Sequence, residues 1–539
     1  MSDTPVVARN PILRGFNPDP SIVRVGDEFF VATSTFEWFP GVRIHRSRDL
    51  ANWEVVGHAL DESNGFDLRG VPDSGGVWAP SLSYADGHFW LAYSIIRTMD
   101  GDDKDLDNYL VTATDVSGPW SRPIHLGSRG FDFSFFHDTD GTHWVVGVQW
   151  DQRPEHPSFS GIVLEQYLPD EQRVSGEAVR IYSQPSLVEG PNLYRFDDGY
   201  HLLLAEGGTG WNHGITMARS ASREGPFVRD EAPAVLTSRD DPGTPLQKAG
   251  HGELVSLPGG GLALVHLASR PALWLGERYS TLGRETCIQR VVFDAGGWLR
   301  LEGGGHHGRV DVPFPELEPA PVPARPTRDD FDAGTLDVGR WSTLRCGADP
   351  AVFDLASRPG WLRIVGGHSV ASVFDQSMIA QRVEELEATV ETLVDAEPTS
   401  VRQAAGLVAW YNRSAWIWLQ LTWDAEHGRH LRVVVRDRTT TTRSEAHAVG
   451  AGPVGMRMSI AGGELRFSAT GSDGAWGELP GVHPAYTLSD DHGGALRFTG
   501  MFAGVRADDL DGLGWSADVD YVDAVFRDPR AAPATSPAG

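Results

Sequence analysis

"PDPSIVRVGDEFFVATSTF", residues 18–36, is an apolar run, a tight turn rich in Gly and Asp, and a second run rich in apolar and aromatic residues. Tight turns with positive φ match the right-handed twist of paired strands, so this pattern reads as a β-hairpin. The same pattern returns in "WAPSLSYADGHFWLAYSII" (78–96), "DFSFFHDTDGTHWVVGVQW" (132–150), "EGPNLYRFDDGYHLLLAEGG" (189–208) and "HGELVSLPGGGLALVHLAS" (251–269). The five starts fall roughly 50 to 65 residues apart, near the blade period of a β-propeller once long loops are allowed. A five-bladed propeller is the simplest architecture, and its innermost strands run along one central channel. The residues opening those strands are Asp19, Trp78 with Ala79, Asp132, Glu189 and His251. An aspartate between prolines, such as Asp19, is ordinarily a turn residue. Turn chemistry does not, however, call for an acid at the equivalent start of three separate blades.

Three carboxylates beside an indole in one funnel suit two tasks: holding a hard cation such as Ca²⁺, or cleaving a glycosidic bond by acid and base. Cleavage needs one carboxyl protonated and another ionised, and a third carboxylate supplies the push that separates them, because a like charge disfavours ionisation of its neighbour. The indole of Trp78 offers a flat apolar face for a sugar ring.

The chain has 539 residues, beyond the roughly 250–300 at which single cores stop growing, so at least two domains are expected. Its 62 glycines, 35 prolines and 18 tryptophans, with few long amphipathic runs, indicate an all-β protein. A formal charge of −27 argues against nucleic acid or an anionic membrane as partner and favours a neutral substrate. Cys287 and Cys346 make no disulfide framework. The N-terminal "MSDTPVVARNPIL" lacks a basic n-region and an apolar h-region, and no apolar run is long enough for a membrane span, so a cytoplasmic location is expected.

The proline-rich stretch "DVPFPELEPAPVPARPTRDDFD" (311–332) cannot form sheet interior and sets a boundary near residue 325. Residues 1–325 are assigned to the propeller and 326–539 to a β-sandwich of jelly-roll, concanavalin-like type, since "GWLRIVG", "AGLVAWYNRSAWIWLQLTW", "HLRVVVRD" and "ELRFSAT" alternate apolar and polar residues. Elsewhere, Glu37 and Glu206 lie at the far ends of their hairpins and read as structural or as supports behind the site, and Asp138 and Asp140 read as turn residues. "DGDDKDLD" (100–107) lacks the glycine and closing glutamate of an EF-hand and reads as a solvated loop. His306 and His307, in the glycine loop "GGGHHG", read as solvent-exposed.

Taken in order, "NPDPSIVRVGDEFFVATSTFEWFPGVRIHRSRDLANW", "GGVWAPSLSY", "GFDFSFFHDTDG", "VEGPNLYR", "AEGGTGWNH", "QKAGHGELV" and "LGRETCIQR" resemble glycoside hydrolase family 43, most closely its two-domain β-xylosidases. The resemblance implies an inverting mechanism with Asp19 as general base, Asp132 raising the pKa of the acid and orienting it, and Glu189 as general acid. It implies that Arg284 and His251 line the sugar pocket, that Phe36 and Trp78 form its aromatic walls, and that Phe502 closes it from the second domain. Inversion implies a carboxyl separation of roughly 6.5–9.5 Å. No cofactor is required, although Ca²⁺ beside His251 in the channel is a family-based expectation. The implied activity is an exo-acting β-1,4-xylosidase that converts xylobiose and short xylooligosaccharides to D-xylose from the non-reducing end. An α-L-arabinofuranosidase, or dual activity, is the enzymatic alternative, and a non-catalytic sugar-binding propeller is the rival from another class. A homo-oligomer, dimer or tetramer, is also implied.

Overall fold

The computed structural model describes residues 5–99, 101–471, 474–494 and 497–528, and its regular structure is almost entirely strand. Asp100, at the head of the acidic loop, lies outside the described residues. The chain divides into two compact units, one of residues up to Arg270 with Arg284–Pro323, the other of Pro271–Gly283 with the chain from Ala324 onward.

The first unit is a five-bladed propeller, as the hairpin repeat predicts. Blade one is the meander Ser21–Val25, Glu28–Thr33, Gly41–Ser47 and Glu54–Leu60, and blade two is Gly76–Ala85, His88–Ile96, Leu106–Ala113 and Ile124–Gly127. Blades three and four are built on Ser134–His137, His143–Trp150 and Phe159–Leu168, then on Val188–Phe196, Gly199–Glu206 and Gly214–Ser220. In each, the third strand pairs with two short outer strands rather than one. Blade five is Gln247–Ser256, Leu262–Ser269, Glu285–Phe293 and Leu299–Leu301.

Each blade is apolar on both faces because it is sandwiched between neighbours, and the core is accordingly split among the interfaces between blades. Phe30, Ile44 and Leu60 of blade one meet Leu82, Leu91 and Val111 of blade two, and Leu203, Ile215 and Met217 of blade four meet Leu254, Leu264 and Val291 of blade five. The ring closes where Val6–Arg9 pairs antiparallel with Asp311–Phe314, burying Val6, Ala8, Val312 and Phe314 against Ile22 and Val31 of blade one and Val265 and Ile288 of blade five. Asn10 locks this closure: its side chain donates to the carbonyls of Ile288 (2.7 Å) and Arg309 (2.8 Å) and accepts from the Ile288 N–H (2.8 Å).

The second unit is a sandwich of a nine-stranded and a seven-stranded sheet. Alternation in "WIWLQL" sends Ile417, Leu419 and Leu421 into a core shared with Val390, Met456, Met458, Val505 and Val522. The segment 271–283 leaves blade five between its second and third strands and forms a small hairpin, Ala272–Trp274 with Glu277–Tyr279. The sequence boundary assigned this segment to the propeller. It belongs instead with the sandwich, because Leu282 is part of the sandwich core, Tyr279 stacks near Tyr486 (4.8 Å between centroids) and the Met501 N–H donates to the Thr281 carbonyl (2.9 Å). Among the described residues no helix is long and apolar enough to cross a membrane.

Replacing Asn10 with Ala removes the side-chain partner of the buried Ile288 N–H and one of the two donors to the Arg309 carbonyl, at a cost of about 1–3 kcal/mol for the propeller. Differential scanning calorimetry should show the propeller transition shifted downward and the sandwich transition unmoved.

Candidate active site

The five innermost strands share one backbone feature that aims their side chains. At Asp19, Ala79, Asp132, Gly190 and His251, an equivalent position in each blade, φ is positive, at 52, 25, 56, 54 and 40°, and blade five carries a second such position at Lys248 (53°). The sheet register slips at the same points, between Trp78 and Ser81, Glu189 and Asn192, and Gly250 and Gly252. Non-glycine residues rarely hold positive φ, and clusters of them mark positions where the surrounding fold fixes a functional side chain. In blade four the kink falls on Gly190, so Glu189 stands one residue earlier, in step with Trp78 of blade two. A Cβ on Gly190 would lie 3.1 Å from the His251 ring, so glycine here also makes room for the imidazole.

Asp19 is buried, and its carboxylate carries a charged partner and a neutral one. Arg284 donates to Oδ1 at 2.6 Å and Ser34 Oγ donates to Oδ2 at 2.7 Å, while His251 Nδ1 stands 4.0 Å from Oδ1. Arg284 is itself 2 % exposed and lies 5.3 Å from the centre of the Phe36 ring. Phe36 in turn neighbours Phe16 (5.7 Å) and Trp78 (6.0 Å), and Trp78 is fixed by donating its indole N–H to the Ser74 carbonyl (2.9 Å). The structure therefore brings Asp19, Arg284, His251, Phe36 and Trp78 into one linked group.

Asp132 and Glu189 occupy a different electrostatic environment. Asp132 accepts one backbone hydrogen bond, from Gly190 N–H at 3.0 Å. Burial pushes its carboxyl up to about 7; a charged His251 opposes the shift, and the charges of Glu189 and Asp19 reinforce it. Burial likewise raises Glu189 to about 7, with Asp19 adding to the rise and Arg284 opposing it. Glu189 Oε1 is buried without a hydrogen-bond partner. A carboxyl that is dry, next to negative charge and unsatisfied favours its protonated form, which is the condition for donating a proton.

Two residues after each kink, Ser21, Ser81, Ser134, Asn192 and Glu253 line a small cavity of about 20 Å³ in the channel. The expected Ca²⁺ beside His251 would meet one imidazole here and few free oxygens. Glu253 Oε2 is already taken by Ser21 Oγ (2.5 Å) and Ile22 N–H (2.9 Å), and the Asn192 amide donates to the Gly252 carbonyl (3.3 Å). Ca²⁺ takes six to eight oxygen ligands; these residues do not build such a cage, and no chemical step is assigned to an ion.

Phe502 opens the sandwich strand Phe502–Asp509, is fully buried, and has the Arg382 guanidinium 5.4 Å from its ring. Glu37 accepts from the Ser74 N–H (3.0 Å) and Glu206 pairs with Arg229 and Arg239 (both 3.0 Å), which fits the structural reading of each. Asp138 is more than a turn residue: it holds Arg195 (2.9 Å), Arg223 (2.8 Å) and Tyr200 (3.0 Å), tying blade three to blade four. Ser34 and Glu253 escaped the sequence reading because a serine in "TSTF" and a glutamate in "HGEL" carry no signal of their own. The offset of two from each kink is the pattern that would have found Glu253.

Fold and funnel together define a propeller glycosidase with paired acidic groups. The chain belongs to glycosyl hydrolases family 43, whose pattern matches residues 8–299, and residues 328–524 match the β-xylosidase C-terminal concanavalin A-like domain. It is 40 % identical over 527 residues to a β-xylosidase of Bacillus subtilis, covering 95 % of this chain and 98 % of the relative. It is 39 % identical over 535 residues to the xylosidase/arabinosidase 43B of Humicola insolens, covering 95 % and 96 %. The crystal structure of a xylan β-1,4-xylosidase from Bacillus halodurans C-125 superposes with a TM-score of 0.93 at 43 % identity, covering 96 % of this chain and 99 % of that one.

Because burial raises the folded-state pKa of Glu189 above its ordinary 4.5, the folded protein holds more protons than the unfolded chain between about 4.5 and 7. Stability therefore falls as pH rises through that window, by up to about 1.4 kcal/mol per pH unit for one group. Glu189→Gln removes this penalty, so calorimetry should show the variant gaining more over the parent at pH 8 than at pH 5. An equal difference at both pH values would contradict the raised carboxyl.

Proposed function

We propose that the protein is an inverting, exo-acting β-1,4-xylosidase that releases D-xylose from the non-reducing ends of xylobiose and short xylooligosaccharides. The observation that carries the reading is the opposition between two buried carboxyls in one funnel: Asp19 ion-paired with Arg284, and Glu189 raised by burial with Oε1 unpartnered. In this mechanism Asp19 takes a proton from water as its oxygen attacks the anomeric carbon. Glu189 gives its proton to the glycosidic oxygen as the bond to the leaving sugar breaks. Burial and the charge of Asp19 hold the proton on Glu189, and Asp132, fixed by the Gly190 N–H, orients this acid and adds to its proton affinity whenever Asp132 is itself ionised. Arg284 and the walls of Phe36 and Trp78 supply a planar donor fork and flat faces for a neutral pentose.

The similarity to a xylosidase/arabinosidase supports a second activity on α-L-arabinofuranosides in the same pocket. A lectin reading is disfavoured, because a binding protein has no use for a dry, proton-holding carboxyl.

A proton NMR time course with xylobiose should show α-xylose first; β-xylose first would mean retention and would remove Asp19 from the base role. Asp19→Ala should lower kcat/KM by about 10²–10⁴-fold on any xyloside. Glu189→Gln should do so on xylobiose but far less on an aryl xyloside, whose leaving group departs without a proton. The rate should fall as pH rises through about 7, where Glu189 loses its proton. Comparing kcat/KM for aryl β-D-xyloside and aryl α-L-arabinofuranoside measures the second activity.

A further inference from the structure

We propose that Asp240, His306 and His307 form a binding site for one divalent transition-metal ion of the Zn²⁺, Co²⁺ or Ni²⁺ class, on residues outside the carboxylate funnel. The two histidines come from the glycine loop after blade five and the aspartate from the turn before it, over sixty residues away. His306 Nε2 lies 2.8 Å from Asp240 Oδ2 and His307 Nε2 lies 2.9 Å from Oδ1. The three ligand atoms lie within 4.8 Å of one another, and no other group of three such side chains occurs among the described residues.

Adjacent histidines usually diverge, but these two rings stand at 79° with centroids 4.5 Å apart, so both Nε2 atoms reach one carboxylate from different directions. Metal bonds of about 2.0–2.2 Å place neighbouring ligand atoms roughly 3 Å or slightly more apart, close to the 2.8 and 2.9 Å between each Nε2 and its carboxylate oxygen. Two imidazoles and one carboxylate suit borderline ions such as Zn²⁺ and not Ca²⁺ or Mg²⁺, which demand oxygen. Three protein ligands leave a position open for water.

The backbone on both sides is set in advance. Gly303, Gly304 and Gly305 all hold positive φ (88, 79 and 75°), a run that side chains would resist and that reverses the chain toward Asp240. Thr237 N–H donates to the His306 carbonyl (2.8 Å), and the carbonyl of Arg309 is held by Asn10 (2.8 Å) and Gln289 (3.1 Å). Asp240 sits in a turn closed by Asp241 N–H on the Ser238 carbonyl (3.2 Å). His306 and His307 are half-buried, at 26 and 36 % exposed, rather than fully solvent-exposed, while Asp240 is exposed at 54 %, so the cluster is accessible to an ion from solvent. A chain charge of −27 raises the local cation concentration. An ion held here would clasp the segment entering blade five to the one leaving it, and binding to the folded state alone would stabilise the propeller.

The test uses the full chain without a histidine tag, stripped with chelator and titrated with CoCl₂ at pH 7.5 by calorimetry and visible absorption. One Co²⁺ per chain is expected, displaceable by Zn²⁺, together with a higher thermal midpoint. Asp240→Asn and the double substitution His306→Ala with His307→Ala should each weaken binding about tenfold or more and abolish the visible band. Both should keep xyloside hydrolysis and the circular dichroism of the parent, which shows that they fold. An ion that binds both variants as tightly as the parent, through His251 or any other residue, overturns the proposal, as does a parent chain that takes up no ion.

Discussion

Five strands must turn their backbones out of line at the same height for the funnel to exist. Left-handed backbone costs an L-residue roughly 1–2 kcal/mol, and here Asp19, Ala79, Asp132 and His251 all accept it, with only Gly190 exempt. The ladder would otherwise run each strand straight past the channel, alternating its side chains between the two faces of its blade. The kink breaks that alternation at an equivalent point in every blade, with a second slip between Gln247 and Gly250 in blade five. It therefore links the local sequence at each kink to the chemistry several blades jointly create. The fold tolerates the strain because each strand is clamped by apolar interfaces on both faces, such as Leu82 on one side and Leu254 on another.

Within the funnel the decisive quantity is how few compensations the buried charge receives. Three acids meet one guanidinium in close contact, Arg284 on Asp19 at 2.6 Å. One cation satisfies one carboxylate, and the remaining two face desolvation with a single backbone N–H between them, that of Gly190. Proton uptake relieves this imbalance. Asp132 and Glu189 titrate as an interacting pair, so the proton that either takes relieves the other. Geometry biases the useful outcome: Asp132 has a hydrogen bond that favours its charged form, while Glu189 Oε1 has none.

Much of this was legible in the sequence, for a definite reason. Turns need Asp and Gly, strands need apolar and aromatic residues, and both signals are local, so the hairpins and their number could be read without any contact information. The acids at Asp19, Asp132 and Glu189 were visible because they sit at fixed offsets from those hairpins. What was not legible depends on distant partners. Asp138 looked like a turn residue because its ligands Arg195, Tyr200 and Arg223 arrive from the next blade. Segment 271–283 looked like a propeller loop because nothing local says that Leu282 belongs to the sandwich core. The single-residue offset of Glu189 from the kink at Gly190 was hidden too, since φ is not written in residue identity when four of the five kinks are not glycine.

The second ring of side chains explains why the first can be strained without drifting. Ser21 accepts from Leu82 N–H (2.7 Å) in blade two while donating to Glu253 of blade five, and Ser134 of blade three donates to the Pro191 carbonyl of blade four (2.6 Å). Asn192 of blade four reaches the Gly252 carbonyl of blade five, and Ser83 of blade two meets His137 of blade three (2.9 Å). Every junction between neighbouring blades thus carries a side-chain hydrogen bond, and Asn10 and the strand pair Val6–Arg9 with Asp311–Phe314 add a second closure at the junction of blades five and one. A ring tied at every junction resists the opening of any one blade, because the others would have to move with it. The base and acid roles proposed for Asp19 and Glu189 depend on that rigidity, since about an ångström of misplacement between reacting groups can cost on the order of 10²-fold in rate.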